Sequence, residues 1–167
     1  LLDASSHLQD NYDIIIIDIG AGAHRDVLNF IMAADESLIV LTPEPTAIMD
    51  AYSLLKILSK HDFNSDIGLV VNMVDTNNEG KDVIERMKRV IKHYLNIDVK
   101  ITTTIPYDKK VIKSVKKQKS IFELFPHTPA VRSYKNAAAE LINRKEEVSS
   151  QNMKSFFSRV IGMFKKG

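Results

Sequence analysis

Short apolar runs alternate with amphipathic stretches along this 167-residue chain. Four of the runs predict β-strands, at Tyr12–Asp18, Ser37–Leu41, Ile67–Val71 and Val99–Ile105. The first contains four consecutive isoleucines, which indicates a central parallel strand buried on both faces. The last run alternates more with polar residues, so we expect it nearer an edge of the sheet.

Apolar residues at helical spacing predict the elements that separate and follow the strands. These helices are expected at Asp26–Ala33, Thr46–Lys60, Glu79–Leu95, Lys109–Lys117 and Pro129–Arg144, and Leu1–Gln9 is expected to end an earlier one. Thr46 is the expected N-cap of the second. Strands that alternate with long helices predict an α/β fold, with a doubly wound, mostly parallel sheet and flanking helices.

A change in composition predicts three parts of the chain. Residues 1–142 carry the α/β pattern, residues 143–152 are polar and charged and predict a linker, and residues 153–167 are periodic again. The last part has one apolar stripe, formed by Met153, Phe156, Phe157, Val160, Ile161 and Phe164. The cations Lys154, Arg159, Lys165 and Lys166 lie off that stripe.

A basic amphipathic helix with phenylalanines on its apolar side is typical of helices that lie in a membrane interface. We therefore predict that residues 153–167 target an anionic membrane surface. The alternative is an ordinary packing helix, which usually carries charges of both signs.

Composition narrows the classes of function. The chain has 23 lysines and arginines against 21 aspartates and glutamates, which argues against a general nucleic-acid binder. It has no cysteine, so disulfides, thiolate zinc sites and thiol nucleophiles are excluded. None of its apolar runs reaches the ~18 residues that suggest a membrane-spanning helix.

The most informative segment is Tyr12 to Gly22, with the sequence YDIIIIDIGAG. Asp18 is expected at the carboxyl end of a central strand, which is where ligands bind in open α/β sheets. Gly20 and Gly22 allow the backbone to approach a ligand closely. An aspartate in this place often holds Mg²⁺ in phosphate-handling folds. A plain strand followed by a glycine turn is the alternative.

Two segments together resemble the MinD/ParA family of deviant P-loop ATPases: YDIIIIDIGAG and the run DESLIVLTPEPTAIMDAY from Asp35 to Tyr52. Within that family the resemblance is closest to the flagellar-number regulators of the FlhG (YlxH) type. It extends over essentially the whole chain, including Val71–Asn72 and Ile105–Asp108.

The resemblance implies ATP and Mg²⁺ as cofactors and a role for each matching residue. Asp18 would stand behind the Mg²⁺, through water, and the backbone N–H of Gly22 would sense the γ-phosphate. Asn72 would bond the adenine edge, although a cap or turn is the alternative for an isolated asparagine. The segment along the base would be formed by Pro106, Tyr107 and Asp108.

Two departures from the family pattern are visible. Ile19 stands where relatives usually carry a threonine or serine. More importantly, the sequence has no glycine-rich lysine loop, which phosphoryl transfer requires around the phosphates. We therefore expect the C-terminal part of a longer ATPase, inactive alone. A true short protein without catalysis is the alternative.

The resemblance also implies an ATP-dependent homodimer that sits peripherally on the inner face of the cell membrane and regulates flagellar placement or number. Implied partners are an FlhF-type GTPase and flagellar switch proteins. A ParA-like DNA partition ATPase and a non-catalytic membrane adaptor remain alternatives. The loop Thr42–Thr46 is either a rigid turn or part of the dimer face.

The lysines between Lys109 and Lys119 form a second basic stretch. Val111, Ile112 and Val115 are expected to supply the buried side of its helix. A solvated helix face, a partner surface and a nucleic-acid patch are the open interpretations.

Overall fold

The computed structural model describes residues 12–61, 63, 65–147, 156 and 162. They form one parallel sheet of three strands in the order β1-β2-β3. The strands are β1 (Glu36–Leu41), β2 (Asp66–Val74) and β3 (Val99–Pro106). The parallel α/β class and three of the four predicted strands are confirmed, and β3 lies at an edge as expected.

Six helices accompany the sheet in the described part of the chain. They are α1 (Arg25–Ala33), α2 (Pro45–Leu58), α3 (Asn77–Leu95), α4 (Lys109–Lys116), α5 (Ile121–Leu124) and α6 (Pro129–Glu147). Five of them confirm predicted helices within a few residues. The single-turn helix α5 was not predicted, because four residues are too few to show a helical period; the hydroxyl of Ser120 accepts from Phe122 N–H and caps it.

The predicted N-cap of α2 was wrong. Glu44 occupies the cap position and Pro45 is the first helical residue, so Thr46 lies inside the helix. Proline suits that position because its ring fixes φ near the helical value and its missing N–H has no intrahelical partner there in any case.

The two faces of the sheet are covered by different helices. One core cluster joins β1 and β2 to α2 and α3, with Leu55, Leu58, Ile67, Leu69, Val71 and Ile91 at its centre. On the opposite side, Ile105 of β3 packs with Val131 of α6 and with Ile121. Fully burying one such side chain stabilises the fold by about 1.5–3 kcal/mol.

The predicted central strand Tyr12–Asp18 was wrong as a description of this structure. Residues 12–20 form no regular secondary structure, and Ile16 is 89% exposed. A central strand needs a hydrogen-bonded neighbour on each side, and β1 pairs only with β2 within the described residues. The isoleucine run therefore has no strand to pair with among the described residues. Leu38 and Val40 of β1 are exposed too.

The predicted buried side of α4 was also wrong. Ser114 is buried and Val111 is half-buried, whereas Ile112 and Val115 are exposed, Val115 by 69%. The small serine lets the helix pack closely against the rest of the domain. Its hydroxyl donates to the carbonyl of Val111 at 2.7 Å.

The C-terminal region is described only in part. Helix α6 runs to Glu147, so residues 143–147 of the predicted linker are helical. Of the predicted membrane helix, Phe156 and Gly162 are described; both are helical, and Phe156 is buried. The other residues of that helix and Leu1–Gln9 lie outside the described residues. Within the described residues, none of the helices combines the length and the apolar composition that a membrane span requires.

Candidate functional site

The carboxyl ends of β2 and β3 bring three of the predicted binding residues to one point. Asn72 is the register partner of Ile105, and Val74 that of Pro106. The backbone N–H of Tyr107 then donates to the carbonyl of Val74 at 2.9 Å, which extends the pairing by one residue. Two segments far apart in sequence thus meet at the edge where α/β folds bind their ligands.

A bulge at Met73 shapes this edge. The register shifts between Asn72 and Val74, and Met73 has φ of 59°, in the left-handed region. A bulge at a strand end changes the direction of the neighbouring side chain. Here the side-chain oxygen of Asn72 accepts from Met73 N–H at 2.9 Å, which holds the amide group at the strand end.

Asp108 caps the N-terminus of α4. Its side chain accepts from the N–H of Lys110 at 2.8 Å, the usual N-cap bond. The cap fixes the direction in which α4 leaves the strand end, and Tyr107, which is 46% exposed, is held between β3 and the cap.

Helix α3 is fixed against the same edge. The hydroxyl of Thr76 accepts from Glu79 N–H at 3.2 Å, and Glu79 in turn accepts from Asp75 N–H at 2.8 Å. Gly80 is buried, and a Cβ there would stand 2.5 Å from Thr104 Cγ2 and 3.0 Å from Val74 Cγ1. The missing side chain therefore lets α3 approach both strands.

Sequence reasoning missed Met73 and Gly80. A glycine inside a helical pattern was the available signal for Gly80, since such a glycine usually has a packing reason. Met73 gave no signal, because methionine is not a residue that favours a positive φ.

The predicted phosphate-side residues lie in the segment before α1. Asp18 is exposed in the irregular segment before α1. Gly22 has φ of 118°, which few residues other than glycine adopt, so the backbone there requires its glycine. Among the described residues, no hydrogen bond joins Asp18 or Gly22 to the β2–β3 edge, and no group of three or more metal-binding side chains is present. The structure thus places Asn72, Pro106 and Tyr107 at one edge of the sheet, and Asp18 and Gly22 in the segment before α1.

The chemistry at the β2–β3 edge fits a purine base. The amide of Asn72 offers one donor and one acceptor in a fixed orientation, and the partly exposed ring of Tyr107 offers a flat apolar face.

A fold of this class, with side chains converging at the carboxyl ends of parallel strands, is that of nucleotide-binding α/β domains. The chain belongs to the CobQ/CobB/MinD/ParA nucleotide-binding domain family, whose model matches residues 5–121. The resemblance found in the sequence is therefore confirmed.

The chain is similar to several individual members of this family. The chain is 33% identical to the antiactivator FleN of Pseudomonas aeruginosa, over 84% of this chain and 50% of the relative. It is 30% identical to the flagellum site-determining protein YlxH of Helicobacter pylori, over 89% and 52%. It is 26% identical to the septum site-determining protein MinD of Bacillus subtilis, over 94% and 58%. The chain spans about half the length of the curated relatives it matches.

Proposed function

We propose that the β2–β3 edge binds the base of ATP and that the chain is part of a MinD-like ATPase of the FlhG type. The observation that carries this proposal is the meeting of Asn72, Pro106 and Tyr107 at one point of a parallel sheet. Membership of a nucleotide-binding family supports it.

The orientation of Asn72 supports adenine over guanine. Because Oδ1 faces the N–H of Met73, the amide cannot turn over without losing that bond. The oxygen has a second lone pair for the exocyclic amine of adenine, and the amide nitrogen can donate to the adjacent ring nitrogen. Guanine presents a carbonyl oxygen in place of that amine, so it would set two acceptors against each other.

The phosphate side of the proposed site would involve Asp18 and Gly22. Asp18 would hold Mg²⁺ through water, and the N–H of Gly22 would face the γ-phosphate. Bound Mg²⁺ would neutralise part of the phosphate charge. The sequence contains no glycine-rich lysine loop, so hydrolysis would depend on groups outside these 167 residues.

We further propose that ATP binding controls dimerisation, and dimerisation controls membrane binding on the inner face of the cell membrane. Each of the four cations of residues 153–167 adds on the order of 1 kcal/mol near an anionic surface. One such helix binds weakly and reversibly because it also loses entropy on ordering. Two helices on a dimer bind more tightly through their raised effective concentration. Phe156 is buried here, so its ring must leave that place before it can enter a membrane.

The biological role we propose is regulation of flagellar placement or number. The names of the relatives FleN and YlxH, an antiactivator and a flagellum site-determining protein, support this role. An FlhF-type GTPase and flagellar switch proteins are the proposed partners. Counting flagella by electron microscopy in a strain without the gene tests the role, and unchanged number and position would contradict it.

Nuclear magnetic resonance tests the nucleotide site on the chain as it is. We expect added AMP or ATP to shift the side-chain amide signals of Asn72 and the ring signals of Tyr107, even at weak millimolar affinity. Guanine nucleotides at equal concentration should shift them much less. Equal shifts with both bases, or shifts confined to residues far from the strand ends, would contradict the proposal.

A further inference from the structure

The solvent side of α4 combines lysines with bare aliphatic side chains. We name it the α4 surface and define it by Ile112, Val115, Lys109, Lys110, Lys113, Lys116, Lys117 and Lys119, all of which are exposed. Ile112 and Val115 lie one turn apart, and Lys109 and Lys116 lie one turn on either side of Ile112. The aliphatic pair is therefore bordered by ammonium groups.

The fold buries only part of this aliphatic pair. Val115 is 69% and Ile112 is 41% exposed, so neither side chain recovers its full burial energy. Both are β-branched and lose rotamer freedom in a helix, so at exposed positions they are poorer than alanine by a few tenths of a kcal/mol. Exposed aliphatic residues that lower helix stability are consistent with a surface that a binding partner covers.

Most of the positive charge of the α4 surface is uncompensated. Residues 109–122 contain six lysines and no acidic residue. Among the described residues, Lys119 is the only one of the six with a carboxylate within 4.0 Å, at 3.6 Å from Glu123. Lys110 lies over the ring of Phe125 at 5.8 Å, which leaves its charge in place. A covering partner must therefore supply negative charge.

We infer that the α4 surface docks an acidic protein segment that places apolar side chains on Ile112 and Val115 and carboxylates on the surrounding lysines. An apolar centre with a charged rim is the usual anatomy of a protein interface. A nucleic acid would leave the aliphatic pair facing phosphates, and residues 109–122 contain no arginine, the residue best suited to phosphate.

An anionic membrane could also attract these lysines, so anionic vesicles are tested beside the peptides.

The probe for this inference is a pair of labelled amphipathic peptides with the same leucine face. One carries glutamates on its polar face and the other carries lysines, and fluorescence anisotropy measures their binding to the full chain. We expect the glutamate peptide to bind, and to bind at least tenfold more weakly at high salt. The lysine peptide should not bind.

Three variants assign the binding to the α4 surface. The triple variant Lys109→Gln, Lys113→Gln and Lys116→Gln, and separately the double variant Ile112→Ser and Val115→Ser, should each weaken the glutamate peptide at least tenfold. Lys81→Gln, Arg86→Gln and Arg89→Gln make the same charge change on α3 and should leave binding unchanged. Far-ultraviolet circular dichroism checks that each variant keeps its helices.

The following results would contradict docking of an acidic protein segment. Failure of the glutamate peptide to bind, or equal loss in the α3 control, would contradict docking at this surface. Duplex DNA that binds the chain and loses binding in the lysine variant, with no effect of the aliphatic variant, would identify a nucleic-acid surface. If anionic vesicles bind the chain instead, and the lysine variant but not the aliphatic variant loses that binding, the α4 surface would be a membrane surface.

Discussion

The side-chain oxygen of Asn72 accepts a hydrogen bond from the backbone N–H of Met73 at 2.9 Å. The two neighbours thus form a small closed unit at the end of β2, in which a residue with φ of 59° fixes the amide of the residue before it. The bulge belongs to the backbone and the proposed adenine-binding group belongs to the side chain, so substitutions can separate their contributions.

We expect Met73 to store backbone strain. A left-handed conformation costs a residue other than glycine roughly 1–2 kcal/mol. Met73→Gly should therefore leave the free energy of unfolding unchanged or raise it by up to about 1 kcal/mol, because the added freedom of the unfolded glycine offsets part of the relief. Met73→Val should lower it by about 1 kcal/mol or more, since β-branched residues are rare at positive φ.

Urea denaturation measures both Met73 variants. Met49→Val is the matched control, because Met49 is 59% exposed on α2 and Met73 is 49% exposed. The control should cost only a few tenths of a kcal/mol. Equal losses for Met49→Val and Met73→Val would show that the bulge carries no strain.

The two roles of Asn72 should separate in a pair of substitutions. Asn72→Asp keeps an oxygen that can accept from Met73 N–H and removes the donor to the base. Asn72→Ala removes both. We expect both variants to lose the response of Tyr107 to AMP, and only Asn72→Ala to lose stability, by about 1 kcal/mol.

The same AMP titration and a urea denaturation series measure the Asn72 pair. If Asn72→Asp kept its response to AMP at neutral pH, the amide nitrogen would not be the donor to the base. If the two variants were equally stable, the bond to Met73 would add nothing to the fold.

Gly80→Ala should destabilise the protein although alanine is the better helix former. The new Cβ would stand 2.5 Å from Thr104 Cγ2. Such overpacking costs about 1–3 kcal/mol, against a gain of up to about 1 kcal/mol in helix propensity. Thermal unfolding should therefore show a lower midpoint for Gly80→Ala.

Thr104→Ser supplies the control for Gly80→Ala. It removes the Cγ2 atom that the new Cβ would meet, so the double variant should recover much of the loss. A double variant as unstable as the sum of the two single variants would show that the two sites do not contact each other in this way.

The five longer helices and the described strands could be predicted because their apolar residues recur at a clear period or form bounded runs. The isoleucine run at Tyr12–Asp18 could not be assigned in the same way, because a strand exists only where another strand pairs with it. Among the described residues no strand pairs with this run. The buried side of α4 was predicted wrongly because periodicity marks only which residues are apolar. Ile112 and Val115 are apolar, but the small Ser114 is the residue that the helix buries.

The candidate site was predictable only through the family resemblance. Nothing in the spacing of Asn72 and Tyr107 shows that they lie at the same sheet edge; the parallel register of β2 and β3 places both there. The bulge next to Asn72 is formed by a methionine, a residue type that does not predict a turn or a bulge. The family motif therefore supplied the candidate residues, and the backbone geometry around them had to come from the structure.

We expect the purified 167-residue chain to release no phosphate from ATP above background with saturating Mg²⁺. The sequence has no glycine-rich lysine loop to stabilise the phosphate charge during transfer. A coupled phosphate-release assay measures this. Turnover that Asp18→Asn abolishes would contradict the prediction, whereas turnover that persists in Asp18→Asn would indicate a contaminant.

Membrane binding should depend on residues 153–167. We expect the chain to sediment with vesicles of phosphatidylglycerol and phosphatidylcholine, and not with phosphatidylcholine alone, because the four cations of this segment need anionic lipid. Phe157→Glu and deletion of the residues after Asn152 should each abolish sedimentation, since the first places a charge in the apolar stripe and the second removes it. Tyr94→Glu is the matched control, because Tyr94 is an aromatic residue on α3 with 69% exposure. Sedimentation that survives the deletion, or that is lost equally in Tyr94→Glu, would contradict a membrane role for this segment.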